Sequence, residues 1–206
     1  MSKYDGIIFD LDGTLWDAVE TVVVIWNKAL AQAGIAPTMN YGEMRACMGL
    51  RIEQIFDRVI PQATQEQRET VRKACTQTEQ DLLAERGGVL YPDLEKTLAL
   101  LKKTHRLFIV SNCHEGYIRA FFKAHGLEKY FEDFECAGRT GLSKGENIRL
   151  IVRRRGLSAP VYVGDTVMDF DAAREAGVDF IHAAYGFGEV GCSVKADSVS
   201  QLLQLV

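Results

Sequence analysis

The sequence predicts an α/β fold in which a parallel β-sheet lies between helices, with a block of helices inserted after the first strand. Short, continuous apolar runs end in polar residues, as buried parallel strands do. In the second half of the chain these runs alternate with segments of helical periodicity, which favours parallel strands joined by right-handed crossovers. Between Trp16 and Gly88, by contrast, every periodic segment is helical.

The first predicted strand is the run 7–9, which leads into Asp10-Leu11-Asp12-Gly13-Thr14. Residues two apart in an extended chain point the same way, so Asp10 and Asp12 can share one crevice. Crowded carboxylates repel each other unless a cation or a proton lies between them, and oxygen ligands suit Mg²⁺. Gly13 allows backbone N–H groups to approach a ligand closely. Taken alone, this stretch is also compatible with an ordinary strand followed by an Asp-Gly turn.

The helical block ends its segments at glycine or proline and contains no strand-like run. We therefore predict an insertion at 16–87 and a core domain formed by 1–15 and 88–206. The predicted helices of the insertion are 16–33, 41–48, 52–60 and 65–86.

The second half of the chain alternates strictly. The predicted strands are 107–110, 134–137, 161–164 and 180–182, and the predicted helices are 94–103, 115–125, 144–155, 169–176 and 198–205.

Three predicted strands end in polar groups: Asp10 with Asp12, then Ser111 with Asn112, then Asp165, which Asp169 follows. Parallel strands bring their carboxyl ends to one edge of a sheet, where open sheets bind ligands. We expect these groups to face one crevice, where a carboxylate cluster again requires a divalent cation. Each pair alone has a structural alternative: Ser-Asn is common in turns, and an acid in the first turn of a helix suits its dipole.

Composition excludes several classes of function. The net charge of −4 gives no general attraction to nucleic acid or anionic membranes. Five scattered cysteines without a CxxC pair favour reduced thiols in the cytoplasm over disulfides or zinc. We find neither a leader-like segment nor an apolar run long enough to cross a bilayer, and we expect a soluble cytoplasmic protein.

In the order of its motifs the chain resembles the haloacid dehalogenase superfamily of phosphohydrolases. The matching elements are DLDGT at 10–14, an apolar strand followed by Ser111-Asn112, a lone lysine at Lys144, and GDTVMD at 164–169. The chain looks most like the phosphoglycolate phosphatase-like branch, which also contains sugar-phosphate phosphatases and β-phosphoglucomutases. The resemblance implies a Rossmann-like three-layer core, and the helical block falls where this superfamily inserts its helical cap.

The resemblance also implies roles. Asp10 would be the nucleophile that forms an aspartyl-phosphate, and Asp12 the acid and then the base. Magnesium would be the cofactor, and the substrate a small phosphorylated metabolite, for a monomer or homodimer. The implied metal ligands are Asp10, Asp12 through its backbone carbonyl, Asp165 and Asp169; the implied phosphate-binding residues are Gly13, Ser111, Asn112 and Lys144.

Substrate choice is expected to come from the cap, where the stretch 47–51 looks like the loop that touches the leaving group. Arg45 and Arg51 are candidates for gripping a second anionic group, although two surface arginines beside a helix break explain the pattern equally well.

The sequence leaves other functions open. A phosphosugar mutase of this superfamily typically carries valine where this chain has Thr14, which favours hydrolysis over a mutase. A dehalogenase lacks an acid at the position of Asp12, so Asp12 argues against that activity. Phosphonate hydrolysis would need a cap lysine such as Lys28. A non-catalytic phosphoacceptor, similar to a response-regulator receiver, also combines acids, Mg²⁺ and a lysine.

Overall fold

A computed structural model describes residues 3–206 and, within that range, all side chains except those at positions 79 and 80. Eight strands occur in this part of the chain. In chain order they are β1 Gly6–Phe9, β2 Trp16–Asp17, β3 Val89–Leu90, β4 Arg106–Ser111, β5 Asp133–Cys136, β6 Pro160–Gly164, β7 Asp179–Ala183 and β8 Lys195–Ala196. Six of them form one sheet in the order β5-β4-β1-β6-β7-β8, and every pair in it is parallel.

Within the same described range, ten α-helices and two short 3₁₀ helices accompany the strands. The α-helices are α1 Val19–Gln32, α2 Tyr41–Arg45, α3 Ile52–Val59, α4 Gln65–Arg86, α5 Leu94–Leu101, α6 Tyr117–His125, α7 Ala137–Thr140, α8 Lys144–Arg155, α9 Val167–Ala176 and α10 Leu202–Leu205.

The sheet is covered on both faces because successive side chains of its buried strands point in opposite directions. Ile7 of β1 packs in the larger cluster with α5 and α6, whereas its neighbour Ile8 packs in a second cluster with α8 and α9. The same alternation separates Ile109 from Val110 on β4. The predicted three-layer α/β core is therefore confirmed.

Helices α1 to α4 lie between β2 and β3, which pair with each other in a separate antiparallel ribbon. Helix α4 runs over the predicted 65–86. Thr64 and Gln67 close its N-terminus with reciprocal hydrogen bonds, and it packs against α1 and α6. The ribbon falls at the two predicted boundaries of the insertion, so the division at 16–87 remains our proposal with this support.

The structure corrects the start of the first predicted helix. We predicted a helix from Trp16, but Trp16 and Asp17 are extended and paired with β3, and α1 begins at Val19. The short strands β3 and β8 were not predicted because two residues are too few to show a period. In the described part of the chain, no helix combines the length and the apolar character needed to cross a bilayer.

Candidate active site

The site lies at the carboxyl edge of three neighbouring strands. Phe9 at the end of β1 is level with Ile109 of β4 and Val163 of β6, so the residues that follow each strand emerge side by side. In this way β1 delivers Asp10, β4 delivers Ser111 and Asn112, and β6 delivers Asp165. The structure thus brings the predicted strand-end groups to one edge.

Lys144 joins this edge from the first turn of α8. The helix begins there because Ser143 and Glu146 cap it with reciprocal hydrogen bonds. The Lys144 ammonium lies 3.0 Å from Oδ1 of Asp10 and 2.6 Å from Oδ1 of Asp169, and all three side chains are buried. Burial alone would lower the pKa of Lys144, but the charges of Asp10 and Asp169 outweigh it and raise the pKa. The lysine therefore stays charged.

Asp169 is held from several sides by neutral groups. The Thr166 hydroxyl donates to its Oδ2 at 2.6 Å, the Thr166 backbone N–H donates to the same oxygen at 3.0 Å, and the Tyr162 hydroxyl lies 3.3 Å from its Oδ1. By contrast, Asp171 on the same helix is exposed and paired with Arg174 at the surface. The structure thus places Asp169 in the buried site and Asp171 at the surface.

The carboxylates at this edge are suited to a divalent cation. Oxygen atoms of Asp10, Asp165 and Asp169 all lie within 4.8 Å of one another. Asp165 accepts a hydrogen bond from the Phe187 backbone N–H through Oδ2, but its buried Oδ1 has no hydrogen-bond partner. Such an orphaned carboxylate oxygen is costly unless a cation or proton meets it. A donor set made only of oxygens fits Mg²⁺.

The raised pKa values of this cluster also indicate a site for a cation. Burial, reinforced by the charge of Asp169, raises the pKa of Asp10 to about 6 and that of Asp165 to about 8. Without a cation, the cluster therefore holds protons at a pH where an ordinary aspartate has lost them.

Asp12 lies outside this carboxylate cluster and has its own partners. Its Oδ1 accepts one hydrogen bond from the Trp16 indole and one from the Tyr117 hydroxyl, both at 2.9 Å. Burial, with the nearby charge of Asp10, raises its pKa to about 7. An acid that is oriented through one oxygen and titrates near neutrality can both give and take a proton. Sequence reasoning missed Tyr117, because it lies on α6, 105 residues from Asp12.

Two glycines allow the backbone to pack against Asp165. Gly13 has φ 80°, and a Cβ added there would lie 2.1 Å from Oδ2 of Asp165. Its N–H donates to the Trp16 carbonyl at 2.9 Å, so the structure does not direct the N–H of Gly13, a predicted phosphate-binding residue, toward a ligand. Gly186, which the sequence analysis missed, is equally constrained, since its Cβ would lie 2.2 Å from the Gly13 carbonyl oxygen.

A cavity of about 60 Å³ lies between the strand ends and helices α1 to α3, which form part of the proposed cap, and Asp10 and Asp12 contribute to its floor. Ser111 and Asn112 line it from the core. The Asn112 amide also donates to the Gly49 carbonyl at 2.9 Å, which connects the core to the 47–51 loop across the cavity. An amide has two N–H donors, so one remains for a ligand.

The predicted cap arginines do not reach this cavity. Arg45 donates to the Phe187 carbonyl at 3.2 Å, and its guanidinium lies 5.5 Å from the centre of the Phe187 ring. Arg51 donates to the Leu142 carbonyl. Neither side chain lines the cavity above Asp10. The structure therefore places both at the rim between cap and core, where each contacts backbone of the core.

Comparison with known proteins agrees with this geometry. The model of the haloacid dehalogenase-like hydrolases matches residues 7–183, and the chain belongs to this family. It is 31% identical to a phosphoglycolate phosphatase of Synechococcus elongatus, covering 98% of this chain and 96% of that protein. A phosphoglycolate phosphatase of Vibrio parahaemolyticus is 28% identical, over 97% and 95% of the two chains.

Solved structures share the fold. A haloacid dehalogenase-like family protein of Streptococcus pneumoniae, SP0104, superposes with a TM-score of 0.86 at 20% identity, covering 100% of this chain and 99% of that one. CbbY of Rhodobacter sphaeroides, crystallised with xylulose-(1,5)bisphosphate, gives 0.81 at 20% identity over 97% and 96%. The predicted family, fold class and enzyme class, a phosphoric monoester hydrolase, are confirmed.

Proposed function

We propose that this chain is a Mg²⁺-dependent phosphatase that hydrolyses a small phosphomonoester through an aspartyl-phosphate on Asp10. The observation that carries the proposal is the buried group of Asp10, Asp165, Asp169 and Lys144 at the sheet edge, with Asp12 beside it. The names of its relatives make phosphoglycolate the first substrate to test, and sugar phosphates the second.

In the first half of the reaction, an Asp10 oxygen attacks phosphorus in line with the bond to the leaving alcohol. That bond breaks, and protonated Asp12 gives its proton to the departing oxygen. A pKa of about 7 leaves Asp12 partly protonated at neutral pH, as this step requires. The products of this half are a free alcohol and a phosphoryl group bound to Asp10.

In the second half, Asp12 is ionised and takes a proton from a water molecule that attacks the same phosphorus. The bond between phosphorus and the Asp10 oxygen breaks, which releases inorganic phosphate and restores the carboxylate. The hydrogen bonds from Trp16 and Tyr117 hold Asp12 in one orientation through both transfers.

Charge on the transferring oxygens must be met by fixed groups, since positioning and electrostatics dominate phosphoryl transfer. Lys144 supplies a permanent positive charge, Ser111 a hydroxyl, and Asn112 its second amide N–H. Asp10, Asp165 and Asp169, with the Asp12 backbone carbonyl as the family resemblance implies, would hold Mg²⁺, which supplies further positive charge against those oxygens.

The direct test is release of inorganic phosphate from a panel of phosphomonoesters with Mg²⁺, in wild type, Asp10→Asn and Asp171→Asn. Asp171→Asn is the matched control, because it removes an exposed carboxylate near the site. We expect many turnovers per chain in wild type and control, loss of at least about 10⁴-fold in Asp10→Asn, and loss of activity with a chelator. Activity that survives Asp10→Asn would rule out the nucleophile, and a single phosphorylation per chain without turnover would favour a phosphoacceptor.

A further inference from the structure

The cap wall of the cavity above Asp10 and Asp12 is apolar. Helix α1 contributes Trp26, α2 contributes Met44 and α3 contributes Ile55, and Leu50 lies in the loop between α2 and α3. Among the described residues, no side chain that lines this cavity from the cap carries a formal charge. A leaving group seated against this wall would meet hydrocarbon, sulfur and an indole ring.

The nearby arginines, which could have supplied a positive charge to this wall, donate hydrogen bonds to backbone carbonyls instead. Arg45 and Arg51 donate to core carbonyls, and Arg58 donates to the Ala46 carbonyl at 3.0 Å. On the core side, His114 lines the cavity, and burial lowers its pKa, so it is neutral at physiological pH. Among the described residues that line the cavity, the ionisable groups on its floor are the acids Asp10 and Asp12, and neither offers a counter-charge to a second anion.

From this lining we infer that the protein selects phosphomonoesters whose leaving alcohol is compact, uncharged and apolar, such as short alkyl phosphates, over phosphoglycolate. The inference rests on the proposed phosphatase function and narrows its substrate class. The carboxylate of phosphoglycolate would lose its hydration against the cap wall and gain no counter-charge there. A sugar would leave hydroxyl groups without partners, whereas an alkyl group loses nothing on leaving water.

The size of the cavity limits the leaving group. A single buried water needs on the order of 10–15 Å³ of such volume, so 60 Å³ favours a compact group, and a longer one would extend into the adjoining groove, which shares Asn112 and His114 with the cavity. Within that limit, each added methylene that the wall covers is worth about fourfold in binding.

Two surface grooves that adjoin the site contain cationic side chains. One, of about 470 Å³, is lined by Arg51 and by Lys144, which is engaged with Asp10 and Asp169, and the other is larger. The larger groove, of about 500 Å³, lies beside the cavity and is lined by Arg51 and Arg72 as well as Asn112. Arg72, however, is paired with Glu53 at 2.9 Å, and Glu53 lines the same groove. This leaves Arg51 as the residue through which a carboxylate would be recognised, if the groove and not the apolar wall receives the leaving group.

The experiment compares kcat/KM for propyl phosphate, butyl phosphate, glycerol phosphate and phosphoglycolate with Mg²⁺, and uses acetyl phosphate as a probe of the core chemistry. We expect propyl phosphate to exceed phosphoglycolate by at least about tenfold, the loss typical of a charge that meets no partner. Ile55→Arg places a cation on the cavity wall and should lower that ratio at least about tenfold. Asp57→Arg, on the exposed side of the same helix, should leave the ratio unchanged.

The inference is overturned if phosphoglycolate equals or exceeds the alkyl phosphates as a substrate of the wild type. If Arg51→Ala then removes the preference for phosphoglycolate, recognition of its carboxylate is assigned to the groove. If Ile55→Arg fails to fold, as thermal unfolding would show, Met48→Lys places a cation on the same wall. Failure of the proposed function gives a different result, because acetyl phosphate and all four esters would then remain intact.

Discussion

The two walls of the cavity are built on opposite principles. By the core wall we mean Asp10, which lines the cavity, and the buried Asp165, Asp169 and Lys144 behind it; ion pairs and hydrogen bonds hold these side chains in place. The cap wall holds apolar side chains from three helices that contact one another by packing alone. On our proposal, the chain separates reaction from selection: the strand ends would carry the chemistry, and helices α1 to α3 would decide which leaving group fits.

After Asp10→Asn, the largest effect on the core wall is expected for Lys144→Met. It removes the cation between Asp10 and Asp169, so catalysis should fall by about 10³-fold and unfolding free energy by about 3–5 kcal/mol. Phosphate release and chemical denaturation measure the two effects. Lys195→Met, which removes an exposed lysine paired with Asp197, is the control and should change neither. Retained activity in Lys144→Met would show that the lysine takes no part in the reaction.

A smaller effect is expected for Tyr117→Phe. The change deletes one of the two donors that orient Asp12 and keeps the ring that packs against Trp16. We expect kcat to fall about tenfold, a part of the 10²–10⁴-fold contributed by general acid–base catalysis, with KM little changed. Tyr130→Phe, which removes an exposed hydroxyl bonded to Glu95, is the control. A change in KM alone would show that Tyr117 acts on substrate binding instead.

On the cap wall, the expected effect is smaller still and falls on a different kinetic constant. Ile55→Ala removes apolar contact that substrate and transition state share, so KM for propyl phosphate should rise about fivefold while kcat stays near wild type. Steady-state kinetics with propyl and acetyl phosphate check this. An equal fall in kcat for both substrates would mean that the two walls are not separable.

The smallest effect concerns protons and Mg²⁺. Because the folded, metal-free protein holds Asp10 and Asp165 at raised pKa values of about 6 and 8, it binds more protons than the unfolded chain above the ordinary value of 3.8. Stability from these groups is therefore fully present at acid pH and is lost as pH rises from about 4 through about 8. Added Mg²⁺ should raise the melting temperature by a few degrees, and more at pH 8 than at pH 5.5. An equal rise at both pH values, in differential scanning fluorimetry, would contradict a site made of these carboxylates.

The sequence revealed the core wall better than the cap wall, for a physical reason. Asp10 and Asp165 follow buried runs whose parallel order fixes where they end, so their meeting place could be predicted from pattern alone. Predicting a role for Lys144 required more than the strand pattern. By itself it is an ordinary lysine in the first turn of a helix, and only the order of the motifs identified it as a candidate.

The position of Arg45 and the apolar lining could not be predicted in this way. They depend on the orientation in which α2 and α3 pack against the core, and helical periodicity does not determine that orientation. Tyr117 and Gly186 were missed for a similar reason, because each acts through a tertiary contact with a strand end far away in the sequence.

The most direct test of the central claim is to trap the phosphoryl group on the protein. Asp12→Asn removes the base that activates water, so an aspartyl-phosphate should accumulate when this variant is mixed with acetyl phosphate and Mg²⁺ and quenched in acid. Mass spectrometry of the peptides should then find the phosphoryl group on Asp10. A phosphoryl group on Ser111 or His114, or an unmodified variant beside an active wild type, would contradict the mechanism.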